Sequence, residues 1–148
     1  MSRKARTQLL ISVKPRFAHA ILRGDKLVEL RRVRPNLTKG DEIILYESSP
    51  TCAVVARAKV AELIEATPLS LWRLIHEESG VTRQEFNQYF AGRSRAFAIR
   101  LSDVQELDEP IGLRELRRAV PGFAPPQSYH YLRPERQRDL ELTASLPE

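Results

Sequence analysis

The order of the predicted strands and helices constrains the fold more than any other feature of the sequence. Three strands are predicted in succession between residues 26 and 60, with no helix between them. A doubly wound parallel sheet places a helix after nearly every strand, so this order argues against that fold. In the third strand, over residues 52–60, small apolar residues alternate with Arg57 and Lys59. Such a strand is typical of a tightly curved barrel wall, although a flat sheet under a helix would show the same alternation.

Helices flank this run of strands on both sides. Thr82 and Glu85 form a capping box that begins one of them. Trp72, Phe86 and Phe90 recur at helical spacing beside aliphatic residues and are predicted to lie in the core. We therefore predict an α+β fold, a mixed β-barrel of about five to six strands with helices packed at its ends. The other predicted elements are strands over 8–13 and 95–104, helices that start at Pro15, at Thr67-Pro68 and near Leu113, and a terminal helix over 134–146.

Positive charge is concentrated at one end of the sequence. Residues 1–40 hold eleven Lys or Arg against two acidic residues, a local net charge of +9, whereas the whole chain carries +5. Charge of one sign repels itself unless an anionic partner uses it, although a solvated basic face is the plain alternative. No long amphipathic helix carries these residues, so the pattern favours nucleic acid over a membrane surface.

Several classes of protein are disfavoured by what the sequence lacks. Cys52 is the single cysteine, so an intrachain disulfide cannot form and a reducing compartment is expected. The sequence has no apolar run of about 20 residues and no secretory signal pattern, which indicates a cytoplasmic protein. His19, His76 and His130 do not have metal-ligand spacing with Cys52. We therefore expect no metal and no cofactor, and we favour a monomer.

Several motifs occur in an order that resembles a known family. Residues 11–18 read as a strand followed by a Lys-Pro helix start, and residues 24–31 carry the pattern Gly-x-Lys-x-x-Glu-x-Arg. A Lys-Gly-Asp turn follows at 39–41, and the segments 46–50 and 125–129 match later parts of the same pattern. Together these motifs resemble the ASCH domain family, in the form of its small stand-alone prokaryotic members.

The resemblance covers residues 9–132, between a basic arm at 1–8 and a C-terminal segment at 133–148. It implies a PUA-like β-barrel, a fold family associated with RNA binding and modified bases. Members are variously described as RNA-binding modules, regulators, ribonucleases and hydrolases of acetylated cytidine. Because the fold does not decide among these activities, the site residues must do so.

The acetylcytidine amidohydrolases of this family use a lysine, a threonine three residues later and a glutamate from the helical insertion. The resemblance places Lys26 at the lysine position, Glu29 at the threonine position, and Glu77 or Glu78 in the insertion. Without the threonine hydroxyl, that nucleophilic mechanism cannot run. Lys26 and Glu29 remain as an acid/base pair acting on water. The favoured alternative is a structural ion pair at the start of the strand, although strand alternation places Lys26 on the opposite face from Glu29 and Arg31.

The leading hypothesis is a module that binds RNA or a modified nucleoside in a basic cleft, with a salt-sensitive affinity. The first alternative is a hydrolase acting on RNA or N4-acylated cytidine, with Lys26 and Glu29 at its centre. A weaker alternative is a module that binds an acidic protein, and a solvated edge strand is the plain interpretation of the arginine cluster. The predicted phosphate contacts are Lys14, Arg16, Arg31, Arg32 and Arg34, and the other predicted cleft residues are Ser48, Ser49, Gln127, Ser128 and Tyr129.

Overall fold

The computed structural model describes residues 7–126 and the short strand 129–131. Its strands are β1 (Gln8–Val13), β2 (Val28–Arg31), β3 (Glu42–Glu47), β4 (Ala53–Ala66), β5 (Ala96–Gly112) and β6 (Tyr129–Tyr131), and its helices are α1 (Pro15–Arg23), α2 (Pro68–Ile75), α3 (Arg83–Tyr89) and α4 (Leu113–Ala119). The strands form one sheet in the order β2-β5-β4-β3-β1-β6. β1 and β3 are parallel and the other neighbours are antiparallel. The predicted α+β class and the predicted order of β1 to α4 are therefore confirmed, whereas β6 was not predicted.

The centre of the sheet is formed by β4 and β5, its longest strands. They pair along most of their length with three register shifts, and such irregularities increase the bend and twist of a sheet. β2 and β6 are its two edges, and no hydrogen-bonded pairing joins these edges among the described strands. Closure into a barrel therefore stays a prediction.

The strand predicted over residues 26–33 is shorter in the structure, where β2 begins only at Val28. The backbone N–H of Lys26 donates to the Ala20 carbonyl of α1, which holds Lys26 in the turn after that helix. Lys26 therefore does not follow the alternation of the strand. The prediction that it faces away from Glu29 is wrong, because both side chains line the same cleft.

Three apolar clusters join the helices to the sheet. α1 packs through Ile21, α4 packs through Leu116, and α2 and α3 share a cluster centred on Phe86. The Phe86 ring lies 5.0 Å from the ring of Trp72 and 4.7 Å from that of Phe90, measured between centroids. The prediction that these three aromatic residues belong to the core is confirmed.

Both helices of the insertion between β4 and β5 begin at the caps that the sequence predicts. The Thr67 hydroxyl accepts a hydrogen bond from the Ser70 N–H, and Thr82 and Glu85 form a reciprocal capping box. These bonds satisfy N–H groups that have no partner inside the helix. They fix the start of α3, which forms one wall of the site described below.

Some predictions fall outside the part of the chain that the structure describes. The cleft residues Gln127 and Ser128 lie there, and of Tyr129 only the backbone is described. The terminal helix over 134–146 and the domain boundaries also stay predictions. Within the described residues, no helix is both long and apolar enough to cross a membrane. The residues outside the description are 1–6, 127–128 and 132–148.

Candidate functional site

A cleft of about 1030 Å³ opens where the end of β1 and the start of α1 face β2 and α3. We call it the Lys26 cleft, after the lysine on its floor. It brings together side chains that are far apart in the sequence, because β2 and α3 approach the α1 region only in the folded chain. Of the predicted site residues, the cleft is lined by Lys14, Lys26, Glu29, Arg31, Arg32 and Ser48.

Lys26 is a buried cation, with 2% of its surface exposed. Its Nζ donates to the Ser79 carbonyl at 2.5 Å, lies 3.9 Å from Oε1 of Glu29, and stands 5.1 Å from the centroid of the Phe17 ring. Burial lowers the pKa of Lys26 from its usual 10.5, and the charge of Glu29 opposes that shift. The lowered pKa makes this ammonium a stronger acid than that of a surface lysine.

Glu29 links two cations on the cleft floor. Its Oε2 accepts a hydrogen bond from Nη2 of Arg31 at 3.1 Å, while its Oε1 faces Lys26 beyond hydrogen-bond distance. All three side chains are buried, so the attraction of Glu29 for each cation is screened less than that of a surface pair. The arrangement matches the ion pair predicted at the start of the strand, and its role in function stays a prediction.

The far wall of the cleft comes from α3 and the loop that follows it. The guanidinium of Arg32 stacks over the Tyr89 ring, 4.4 Å from its centroid, and the Tyr89 hydroxyl donates to the Leu30 carbonyl at 3.1 Å. Burial raises the pKa of the Tyr89 hydroxyl, so it stays protonated as a donor. Exposed Arg93 also lines the cleft. The sequence did not point to Tyr89 or Arg93, because a helical aromatic and a loop arginine have no spacing that marks a site.

Arg16 and Glu85 join α1 to α3 beside the cleft. Nη2 of Arg16 lies 2.8 Å from Oε1 of Glu85, and Arg16 also stacks against Phe17 at 4.7 Å. Hydrogen bonds from Arg16 and from the Thr82 backbone N–H lower the pKa of Glu85 to about 2. Glu85 lines the cleft, whereas Arg16 does not, so the predicted phosphate contact Arg16 already has an anionic partner.

Two further predicted residues lie outside the cleft lining. Arg34 is exposed and pairs with Glu65 at 3.3 Å, and Ser49 is exposed in the turn after β3. The concentration of positive charge near the N-terminus is therefore partly neutralised in the folded protein by acidic residues from distant parts of the chain.

Neither of the two insertion glutamates that the resemblance points to lines the cleft. Glu78 pairs with Arg100 at 2.8 Å, and Glu77 is exposed. The insertion instead contributes Glu85 to the cleft. Within the described residues, no group of three or more His, Cys, Asp or Glu side chains is arranged to hold a metal ion.

Comparisons of this chain with protein families, with known proteins and with solved structures each find similar proteins. Residues 9–122 match the family described as a domain of unknown function, DUF365. An ASCH domain-containing ribonuclease of Zymomonas mobilis is 33% identical over 142 residues, which cover 95% of each chain. The crystal structure of ASCH from the same organism superimposes with a TM-score of 0.88 at 33% identity, over 95% of this chain and 98% of that one.

A more distant structure shares the fold alone. The N-terminal domain of McrB from Staphylothermus marinus has a TM-score of 0.59 at 13% identity, over 95% of this chain and 99% of that one. The match to the Zymomonas protein extends over nearly the whole of both sequences and both structures. By this match the chain belongs to the ASCH domain family, as its motifs predicted, and to the family described as DUF365.

Proposed function

We propose that this protein binds single-stranded RNA in the Lys26 cleft and acts on it as a ribonuclease. The observation that carries the proposal is the arrangement of charge in the cleft. Exposed cations stand at its rim, at Lys14, Arg32 and Arg93, and a buried charged pair, Lys26 and Glu29, stands on its floor. A single strand of RNA can place its anionic phosphates against this rim while the polar edge of one uncharged base points toward the floor.

The rim residues suit phosphate and base contacts. Lys14, Arg32 and Arg93 form no ion pair within the described residues, so their charges are available to a ligand. Arg32 is held flat over Tyr89, and a planar guanidinium binds phosphate with two bonds or stacks on a base. Three phosphate contacts give a slope of about −2 for the logarithm of affinity against the logarithm of salt concentration, at about −0.7 per contact on single strands.

The floor suits a nucleobase edge. Oε1 of Glu29 accepts no hydrogen bond from the described residues, and its ion-pair partner Lys26 stands 3.9 Å away, so this oxygen can accept a hydrogen bond from a base amino group. Carboxylates accept from the exocyclic amine of cytosine in the same manner. A base paired in a duplex does not present this edge, which is why we expect a single strand.

The relative's name favours cleavage in addition to binding. That protein is described as a ribonuclease, and it is similar to this chain over nearly its full length. RNA carries its own nucleophile, the 2′-hydroxyl, so cleavage needs one group that removes a proton and one that donates a proton. Lys26 and Glu29 are the proposed pair. Their burial and the bond from Lys26 to the Ser79 carbonyl favour the second candidate, a module that binds RNA without cleaving it.

The test compares two double variants that each remove two arginines. Arg32→Ala/Arg93→Ala removes two of the three rim cations, whereas Arg34→Ala/Arg95→Ala removes two exposed arginines that both pair with Glu65 outside the cleft. Binding of a labelled RNA of about ten nucleotides is measured across a range of salt. We expect the rim variant to bind at least about tenfold more weakly with a shallower salt slope, and the control to behave like wild type. Equal loss in both variants contradicts the proposed site.

The same samples decide between cleavage and binding. RNA fragments that appear with wild type and disappear with Lys26→Met support the ribonuclease, and intact RNA with tight binding supports the module. Release of acetate from N4-acetylcytidine would support the hydrolase alternative instead. Capture of an acidic protein that survives nuclease treatment, without any affinity for RNA, would support the interaction module.

We also propose that the sheet closes around the cleft as a PUA-like barrel. Three register shifts bend the long β4–β5 pair, and the β4 residues Ala53, Ala56 and Ala58 are small and buried, as a tightly curved wall requires.

A further inference from the structure

An ion network is formed by Arg100, Glu78 and Glu62, which are not among the residues that line the Lys26 cleft. Arg100 of β5 holds Glu78 through two contacts, Nε to Oε1 at 3.2 Å and Nη2 to Oε2 at 2.8 Å. Its Nη1 contacts Glu62 of β4. A two-point pair between arginine and carboxylate fixes orientation as well as distance. The network therefore anchors the turn that carries Glu78 to the sheet.

That turn holds Lys26. The carbonyl of Glu78 accepts from the Leu27 N–H at 2.8 Å, and the carbonyl of Ser79 accepts from Nζ of Lys26 at 2.5 Å. Gly80 follows with a φ of +67°, and a Cβ at that position would lie 3.0 Å from the Cβ of Lys26. Three successive residues of the turn thus lie against the two residues that precede β2, the backbone of Leu27 and the side chain of Lys26.

We propose that Arg100 and Glu78 are positioning residues that set where the Lys26 ammonium stands on the cleft floor. The inference rests on the proposed function, in which Lys26 acts on bound RNA. Among the described residues, the Ser79 carbonyl is the one hydrogen-bond acceptor within reach of the ammonium, so a shift of the turn displaces it. A misplacement of about 1 Å at a reacting group can cost about 100-fold in rate.

The test compares two isosteric variants that each remove one partner of Arg100. Glu78→Gln weakens the contact to the turn, whereas Glu62→Gln removes an exposed partner on β4 that has no contact with the turn. The first readout is the titration of the Lys26 ammonium, followed by NMR on lysine-labelled protein. Loosening the turn admits water, so we expect the pKa of Lys26 to rise toward 10.5 in Glu78→Gln and to stay at the wild-type value in Glu62→Gln.

Other charges also act on the Lys26 ammonium and must remain constant in this comparison. Glu29 and Glu85 favour its charged form, whereas Arg31 and Arg16 oppose it. All four are unchanged in both variants, so a difference between the variants reports on the turn.

The second readout is RNA cleavage, or RNA binding if the wild type does not cleave. We expect Glu78→Gln to lose about tenfold of this activity and Glu62→Gln to keep it. Because Lys26→Met should abolish cleavage, the two backgrounds are compared by RNA binding, and Glu78→Gln should cause no further loss of binding in Lys26→Met. An equal loss in both backgrounds overturns the inference, because the pair would then act through stability alone. If Glu78→Gln does not fold, Arg100→Lys replaces it, because lysine keeps the positive charge but cannot make the two-point contact with Glu78. We expect its effect on the activity with RNA to lie between wild type and the loss expected for Glu78→Gln.

The two proposals can fail separately. If wild-type protein neither binds nor cleaves RNA, the proposed function is wrong, and the Lys26 titration still decides the positioning role. A rise in the pKa of Lys26 in Glu78→Gln supports that role, and an unchanged titration overturns it whatever the result with RNA.

Discussion

Replacing Glu29 by glutamine removes one charge from a buried ion pair and leaves the shape of the side chain almost unchanged. Lys26 is 2% exposed and Glu29 is 7% exposed, so water screens the pair little. At 3.9 Å, two unit charges attract by about 4 kcal/mol at an effective dielectric constant of about 20. Among the described residues, no other acid lies within 4.0 Å of the Lys26 ammonium.

The expected loss is smaller than the full attraction. The glutamine amide oxygen still accepts from Arg31, and Lys26 keeps its bond to the Ser79 carbonyl. Removing one partner of a buried pair costs about 3–5 kcal/mol in other proteins. We therefore expect Glu29→Gln to lower the free energy of unfolding by about 3 kcal/mol.

Urea unfolding followed by circular dichroism measures this change, because the midpoint falls in proportion to stability when the slope of the transition is unchanged. Glu65→Gln is the matched control. Glu65 also lies between two basic residues, Arg34 and Arg95, but at the surface, where such a pair contributes about 0–1 kcal/mol. A loss of less than about 1 kcal/mol in Glu29→Gln, or an equal loss in the control, would refute the reasoning that burial makes the pair strong.

Three further changes follow from the structure. Because the pKa of Lys26 is lower in the folded chain than in the unfolded chain, the unfolded chain binds more protons at pH values between that lowered pKa and 10.5. The stability of wild type relative to Lys26→Met should therefore increase as the pH rises through this range. Urea unfolding across the range measures it, and a stability difference that does not change with pH contradicts it. Thr82→Ala should cost about 1 kcal/mol through loss of the α3 cap, and Thr82→Ser should restore most of it in the same assay. NMR titration should place the pKa of Glu85 at about 2 and should show it rising toward 4.5 in Arg16→Gln; a wild-type value near 4.5 would mean that the ion pair is not formed in solution.

Much of the fold could be predicted because it depends on local patterns. The caps at Thr67 and Thr82 are hydrogen bonds between residues three apart, so the sequence contains both partners within one short window. The position of Lys26 could not be read from alternation, because the turn after α1 holds this residue before β2 begins. The pairing of Lys26 with Glu29 could nevertheless be predicted from the family motif, which contains both residues three positions apart.

The number of unpaired cations at the cleft was harder to predict than the residues that line it. Arg16 meets Glu85 across 69 positions of sequence, and Arg34 meets Glu65 across 31. No short-range sequence pattern indicates these pairs. The charge excess of residues 1–40 therefore overstated how many cations remain available to an anionic ligand. Conversely, Tyr89 and Arg93 join the cleft through the packing of α3 against β2, a contact that only the folded chain creates.

The most direct measurement of the central claim is a photo-cross-link between this protein and a single-stranded RNA that carries a reactive base, with the attached peptides identified by mass spectrometry. The account predicts that cross-links fall on peptides containing Phe17 or Tyr89, two of the aromatic residues that line the Lys26 cleft, and that Arg32→Ala/Arg93→Ala strongly reduces their yield at an RNA concentration that saturates wild type. Cross-links that fall instead on α4, or that keep the wild-type yield in this variant, would contradict it.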